Sequence, residues 1–408
     1  MRGGNRYAMC RPQLDMVIQL KQERIDYRMG LLASFSEIDA AQWNALLALQ
    51  PQPTPFLRHE FLSALTAAEC ASARSGWAPR FVTLVDARTE SLAAVAPLYL
   101  KSHSYGEYVF DWAWADAYQR NGLEYYPKLL CAVPFTPVQG TRLIAVDDAA
   151  RRQLAASLIA LAEQSEVSSL HVLFPTQGEA DTLGELGMMR REGIQFHWVN
   201  DGYRHFDDFL STLEQKKRKN IRAERRKVRD AGITMRRVRG EDATDSDWRF
   251  FARCYRQTYR EHFSSPYLNL EFFRAIGATM PENLLLVIAE REGRPIASSL
   301  VVYQRDAQTG GTLYGRYWGA LEHVPCLHFE TAYYQPLEFC IEEKLAVFEG
   351  GAQGEHKMAR GFLPTVTHSA HWLAHPAFSD AVARFLADEA NIIHAHVDEL
   401  RERNPFKH

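Results

Sequence analysis

The chain has 408 residues, 46% hydrophobic and 24% charged, with a formal net charge of −3. That composition excludes a disordered or fibrous protein, and the length exceeds one typical core, so two domains are expected. No stretch reaches the roughly 18 consecutive apolar residues of a membrane span, nor does the N-terminal segment hold the apolar run of about 7–15 residues of a secretory signal. A cytoplasmic location is expected, and six scattered cysteines without a C-x-x-C pair fit a reducing compartment.

Residues 1–28 are expected to be a disordered or artefactual extension, because an ordered pattern starts only after Met29. Trp43 to Leu49 reads as a helix closed by Pro51, Pro53 and Pro55, and Phe56 to Ala68 as an amphipathic helix. Phe81 to Asp86 and Leu92 to Tyr99 then form two strands of a hairpin. From Lys101 to Ile144, tyrosines and tryptophans alternate with ionisable residues. Core strands rarely interleave so many charges, so this segment is expected to be the wall of a cleft for a polar organic substrate. A helix from Asp147 to Gln164, a strand LHVLF, a helix from Leu183 to Met189 and a strand IQFHWVN complete an α/β unit.

The second half opens on a long helix expected from Asp207 to Asp230, with Gly232 as its C-cap. Between Glu214 and Arg239 twelve Lys or Arg stand against three Asp or Glu, so the positive charge is concentrated here. A face of Lys216, Lys217, Lys219, Arg222, Arg225, Arg226 and Arg229 suits phosphates, with RNA as one alternative partner and no DNA expected, although the helix lacks aromatic residues for base stacking. Helices from Trp248 to Phe263 and from Leu270 to Gly277 follow, then three strands within LLLVIAE, PIASSLVVYQ and GGTLYGRYWGAL, then the helix LHFETAYYQPLEFCIEEK.

The stretch from Leu345 to Trp372 then passes from an apolar strand through Glu349 into a glycine loop, with a helix expected after it. Glycines let backbone N–H groups converge on an oxyanion. This order of elements is that of a GNAT-type N-acyltransferase fold, and the first half reads as a worn copy of it. The fold class expected is α/β (α+β): two tandem GNAT-like units, each a mixed, mostly antiparallel sheet flanked by helices, spanning 29–194 and 195–376, with a C-terminal helix and tail over 377–408. No metal is expected, since His368 and His371 lack zinc-peptidase spacing, and neither a G-x-S-x-G motif nor a Walker loop is present.

Several segments, KSHSYGEYVFDWAWADAY, PFTPVQGTRL, RYWG, LHFETAYYQPLEFCIE and FEGGAQGEHKMARGFLP, resemble the FemAB-like group of bacterial N-acyltransferases linked to peptidoglycan biosynthesis or recognition. The resemblance implies transfer of an acyl or aminoacyl group from acyl-CoA or aminoacyl-tRNA, without a permanently bound cofactor, to a small amino-acid or peptide-like amine. Its alternative is a protein that recognises cell-wall peptide without turnover. Fem-type enzymes carry Phe-Lys-x-Gly-Phe after the loop; here Gly361 and Phe362 match, but Met358 and Ala359 stand at the Phe and Lys positions.

Acyl transfer needs a base for the attacking ammonium and donors for the oxyanion. Glu355 and His356 are the expected bases, with Glu330 and His328 in reserve, and Lys357 and Arg360 as charge-neutralising cations. The donor is expected at Gly350, Gly351, Gln353, Gly354, Arg360, Gly361 and Phe362. The acceptor is expected against Lys101, His103, Tyr105, Glu107, Asp111, Trp112, Asp116, Tyr126 and Lys128, with Tyr314, Arg316 and Trp318 opposite.

Overall fold

The computed structural model describes residues 26–352 and 354–407. Most of the extension expected over 1–28 therefore lies outside the described residues, while Tyr27 and Arg28 already belong to the strand Tyr27–Leu32.

Eleven strands form one continuous sheet. In spatial order they are Ile233–Arg239, Leu284–Arg291, Arg294–Gln304, Thr312–Ala320, Val347–Glu349, Met189–Val199, Leu363–Leu373, Ser169–Leu173, Lys128–Cys131, Leu98–Lys101 and Trp77–Pro79. A second sheet holds Tyr27–Leu32, Phe81–Asp86, Leu92–Ala96 and Ile144–Ala145.

The apolar run LLLVIAER is buried on both faces, which explains its lack of polar alternation. Leu284, Leu286 and Ile288 pack on one side with Phe251 and Phe272, while Leu285 and Val287 pack on the other with Leu337 and Cys340. The two-residue period of a strand thus sorts one sequence into two cores.

An exchange of strands joins the two halves. Met189–Val199 pairs at its far end with Val347–Glu349 of the second half, and along its length with Leu363–Leu373. Leu363–Leu373 in turn pairs with Ser169–Leu173 of the first half. The unit boundary expected at 194/195 falls inside the strand Met189–Val199.

Three expected elements are corrected. The helix read from Leu183 to Met189 is Gln177–Glu185, started by a capping box of Thr176 and Glu179 and closed before Gly187, whose φ of 94° suits only glycine well. The helix read from Asp207 to Asp230 is two, Phe206–Thr212 and Gln215–Asp230. It breaks because the backbone at Leu213 and Glu214 turns outward to pair with Pro405 and Phe406 of the C-terminal tail. The helix expected after the glycine loop is a six-residue 3-10 turn, Glu355–Arg360, ended by Gly361 at φ 85° and followed directly by the strand Leu363–Leu373.

Among the described residues no helix is long and apolar enough to cross a membrane.

Candidate active site

Thr312–Ala320 and Val347–Glu349 run parallel but pair over three residues only: Thr312 with Val347, Leu313 with Phe348, and Tyr314 with Glu349. Beyond them the chain turns away at Gly350 and Gly351, while the other strand continues to Ala320 without a strand partner on that side. The strand also carries a bulge: Leu300 faces Tyr317 and Val301 faces Gly315, leaving Arg316 unmatched. A bulge re-aims side chains and backbone, and here it does so at the mouth of the opening.

The opening is a cleft of about 420 Å³. Its walls include Gly315 to Trp318, His328 and Tyr333 from the following helix, and Gly350, Gly351, His356 and Lys357 from the loop and turn. The helix Asp245–Glu261 adds Tyr255, Thr258 and Tyr259, and the first half contributes Tyr108 and Pro137. Gly350 suits its place because a Cβ there would stand 3.0 Å from the Lys357 stem and 3.1 Å from the Phe196 carbonyl oxygen.

No carboxylate is among these cleft-lining residues. Burial, together with His356, Arg360 and Lys357, lowers the His328 pKa to about 4. His356 is likewise lowered, by burial and then by Arg360 and Lys357, and its Nε2 lies 3.4 Å from the Tyr333 hydroxyl. Burial brings Lys357 down to about 8. Both imidazoles are thus kept neutral and able to accept a proton, and the lysine sits near its own titration at physiological pH.

Of the residues expected on the catalytic and donor side, His328, His356, Lys357, Gly350 and Gly351 line this cleft. Gln353 lies outside the described residues. Gly354, at φ 116°, adjoins the His356 ring. Glu355 instead faces the C-terminal helix, 3.1 Å from Arg403 and 3.6 Å from His396. Glu330 is buried under Arg225, which holds both its oxygens at 3.1 and 3.0 Å. Arg360 is buried against Glu224 and Tyr334, with its guanidinium 3.5 Å from the Phe329 ring centre. Gly361 and Phe362 pack into the core, the glycine against Phe209 and the phenylalanine against Phe348.

The expected acceptor wall divides. Arg316 and Trp318 line the cleft, while Tyr314 packs in the core against Phe56. Lys101, Glu107, Asp111 and Lys128 are all buried inside the first half. Lys128 bonds Asp111, and reaches Glu107 at 2.8 Å and Ser104 at 2.7 Å; Tyr125 donates to Asp111 at 2.7 Å. These ionisable groups partner one another, a solution that their alternation with aromatics does not distinguish from a cleft wall. Tyr126 bonds Ser104 at 2.9 Å, His103 reaches the Ser75 carbonyl at 3.0 Å, Trp112 packs against exposed Tyr105, and Asp116 lies on the surface near Arg120.

On the basic helix, Lys216, Lys219, Arg222, Arg226 and Arg229 are exposed and Lys217 is half-buried. Arg225 does not join that face, because Glu330 and Glu338 hold it inward.

Sequence reasoning left Tyr108, Tyr333 and Glu349 without a role. Tyr255, Tyr259 and His262 recur at i, i+4 and i+7 on one helix face, a signal that could have brought them to the cleft. Glu349 ends the strand beside the cleft with a buried oxygen that makes no hydrogen bond among the described residues and has His197 Nε2 at 4.0 Å, and burial raises its pKa to about 8. Tyr333 emerges only from the fold, where a π-helical turn, Glu330–Tyr334, rotates the helix face.

Tandem units, parting parallel strands and a bulge at their opening define a GNAT-type acyltransferase fold. The chain matches the FemAB-like family, described as peptidoglycan biosynthesis/recognition, over residues 34–408. It belongs to that family. No curated protein matches it by sequence. It is similar in structure to FemX, at 11% identity over 84% of this chain and 98% of that one, with a TM-score of 0.52. It is also similar to L-PGS from Bacillus licheniformis, at 10% identity over 86% of this chain and 97% of that one, with a TM-score of 0.50. At such identities the likeness is one of fold.

Proposed function

We propose that the protein moves an acyl or aminoacyl group from a CoA thioester or an aminoacyl-tRNA to the amine of an amino-acid or peptide-like acceptor, within the cleft between the parting strands. The observation that supports this most is the pair His356 and Lys357, held below their ordinary pKa values in a cleft whose lining has no carboxylate. An acceptor ammonium entering the same surroundings is shifted in the same direction as Lys357, so more of it is the nucleophilic neutral amine.

The amine nitrogen bonds to the donor carbonyl carbon, and the carbon–sulfur bond of a thioester, or the carbon–oxygen bond of an ester, breaks. The proton lost by the amine passes to His356 and from there to the departing thiolate or alkoxide. Backbone N–H groups along the unpaired edge of Gly315 to Ala320, with the Lys357 ammonium, stabilise the oxyanion between the two steps. Membership of a peptidoglycan-linked family supports a cell-wall peptide as the acceptor. Met358 and Ala359, at the places of the Fem-type Phe and Lys, favour the second reading, recognition of such a peptide without turnover.

Thermal stabilisation of the full chain by acetyl-CoA, by charged and uncharged tRNA, and by a muramyl peptide tests the proposal. A shift with acetyl-CoA, or with charged but not uncharged tRNA, supports transfer. A shift confined to the peptide favours recognition.

A further inference from the structure

The cleft at His356 has a neighbour. Tyr255 and Ser264 line both it and a larger cavity of about 1090 Å³, walled by the helix Asp245–Glu261 and by first-half residues that include Trp77, His103 and Phe135.

Two arginines on that helix, Arg253 and Arg256, face this cavity and are exposed. Among the described residues neither makes an ion pair or a side-chain hydrogen bond, whereas Arg249 on the same wall is held by Asp245 at 2.6 Å. Of the two carboxylates on the cavity wall, Glu69 is paired with Arg74, which leaves Glu271 alone against two free guanidinium groups. The wall is therefore positive, and guanidinium groups one helical turn apart suit a carboxylate or a phosphate.

The cavity also carries aromatic residues among polar ones such as Ser75, His103 and Asn269. Tyr267 stacks on Phe135 with ring centres 4.8 Å apart and planes 10° apart, and Tyr105 stands exposed nearby. Phe263 is 99% exposed and has φ 51°, the left-handed region that a phenylalanine rarely occupies. A side chain disfavoured in both solvation and backbone, at the junction of two cavities, has much apolar surface to gain by covering a ligand.

We infer that this cavity is the acceptor subsite and takes an amine that also carries an anionic group, a carboxylate or a phosphate. Arg253 and Arg256 hold the anion, and Tyr105, Phe263 and Tyr267 cover the apolar part. The word acceptor rests on the acyl-transfer proposal; the binding does not.

Calorimetric titration of the full chain tests this with two matched pairs: L-alanyl-L-phenylalanine against its C-terminal amide, and phosphoethanolamine against ethanolamine. In at least one pair the anionic member is expected to bind about tenfold more tightly, and the pair that shows it identifies carboxylate or phosphate. The preference is lost in the Arg253→Ala, Arg256→Ala double variant and partly kept in the double Lys variant, with melting temperatures unchanged because both residues are exposed. No preference in either pair, or one that survives the double alanine variant, overturns the inference. Anion preference without turnover from any donor would keep the subsite and reject acyl transfer; turnover without the preference would do the reverse.

Discussion

Lys357 donates from Nζ to the carbonyl oxygen of Gly351 at 2.9 Å, tying the 3-10 turn back onto the glycine loop at the wall of the cleft. Only 2% of the residue is exposed, so an ammonium is held in a place that disfavours charge. Lys357→Met is expected to lower kcat by roughly 100-fold through loss of oxyanion stabilisation, while stability at neutral pH stays equal or rises, because a buried charge is removed. Turnover assays and urea denaturation check the two halves of this expectation.

The same residue sets a pH dependence of stability. Its pKa is about 8 in the folded chain against an ordinary 10.5, so the unfolded chain binds more protons between those values. Stability therefore rises with pH through that window, and Lys357→Met should remove this contribution to the slope. Denaturation midpoints of the two proteins across the window provide the comparison.

His356, lowered by burial and then by Arg360 and Lys357, accepts the amine proton only when neutral. The acid limb of kcat/KM is expected below the ordinary histidine range, with activity lost as pH falls through it. His356→Gln should lower kcat by about 100-fold or more and abolish that limb. A pH–rate profile of the variant that keeps the limb would assign it to another group.

Within the first half, Lys128 neutralises Asp111 and Glu107 in a buried cluster. Burial pushes the Lys128 pKa down, but Glu107 and Asp111 together raise it above the ordinary value. Lys128→Met leaves Asp111 without its lysine and Glu107 with only Lys101, 3.7 Å away, and is expected to cost about 3 kcal/mol, with KM for the acceptor unchanged in the fraction that folds. Asp111→Asn should act likewise. A change in KM without a change in stability would return these residues to the substrate.

Arg360 spans both Glu224 oxygens, at 3.1 and 2.9 Å, beneath the turn that carries His356. Arg360→Ala is expected to destabilise by about 3 kcal/mol and to loosen the turn, whereas the paired change Arg360→Met with Glu224→Gln recovers much of the loss. A double-mutant cycle in denaturant measures the coupling.

Much of the second half was legible because its signals are local. The run from Leu284 to Gln304 reads as two strands from composition and a turn at Glu292 and Gly293, and the glycines after Glu349 mark a loop. Two things were not legible. Charges among aromatics read alike whether they line a cleft or pair with each other, and only the meeting of Lys128 with Asp111 and Glu107 decides between these. The pairing of Leu363–Leu373 with Ser169–Leu173 joins residues about 200 positions apart, beyond the reach of local periodicity. The lysine shows both sides: its sequence position is two residues from the Fem-type one, yet Lys357 is folded into the cleft wall.

The most direct test is mass-spectrometric detection of acylated muramyl peptide after incubation with isotope-labelled acetyl-CoA or labelled aminoacyl-tRNA, with wild-type protein and His356→Gln side by side. The account predicts label on the peptide amine from one of these donors with wild type, and a loss of about 100-fold or more in the variant. Unlabelled peptide with both donors, under conditions where the peptide demonstrably binds, would contradict it.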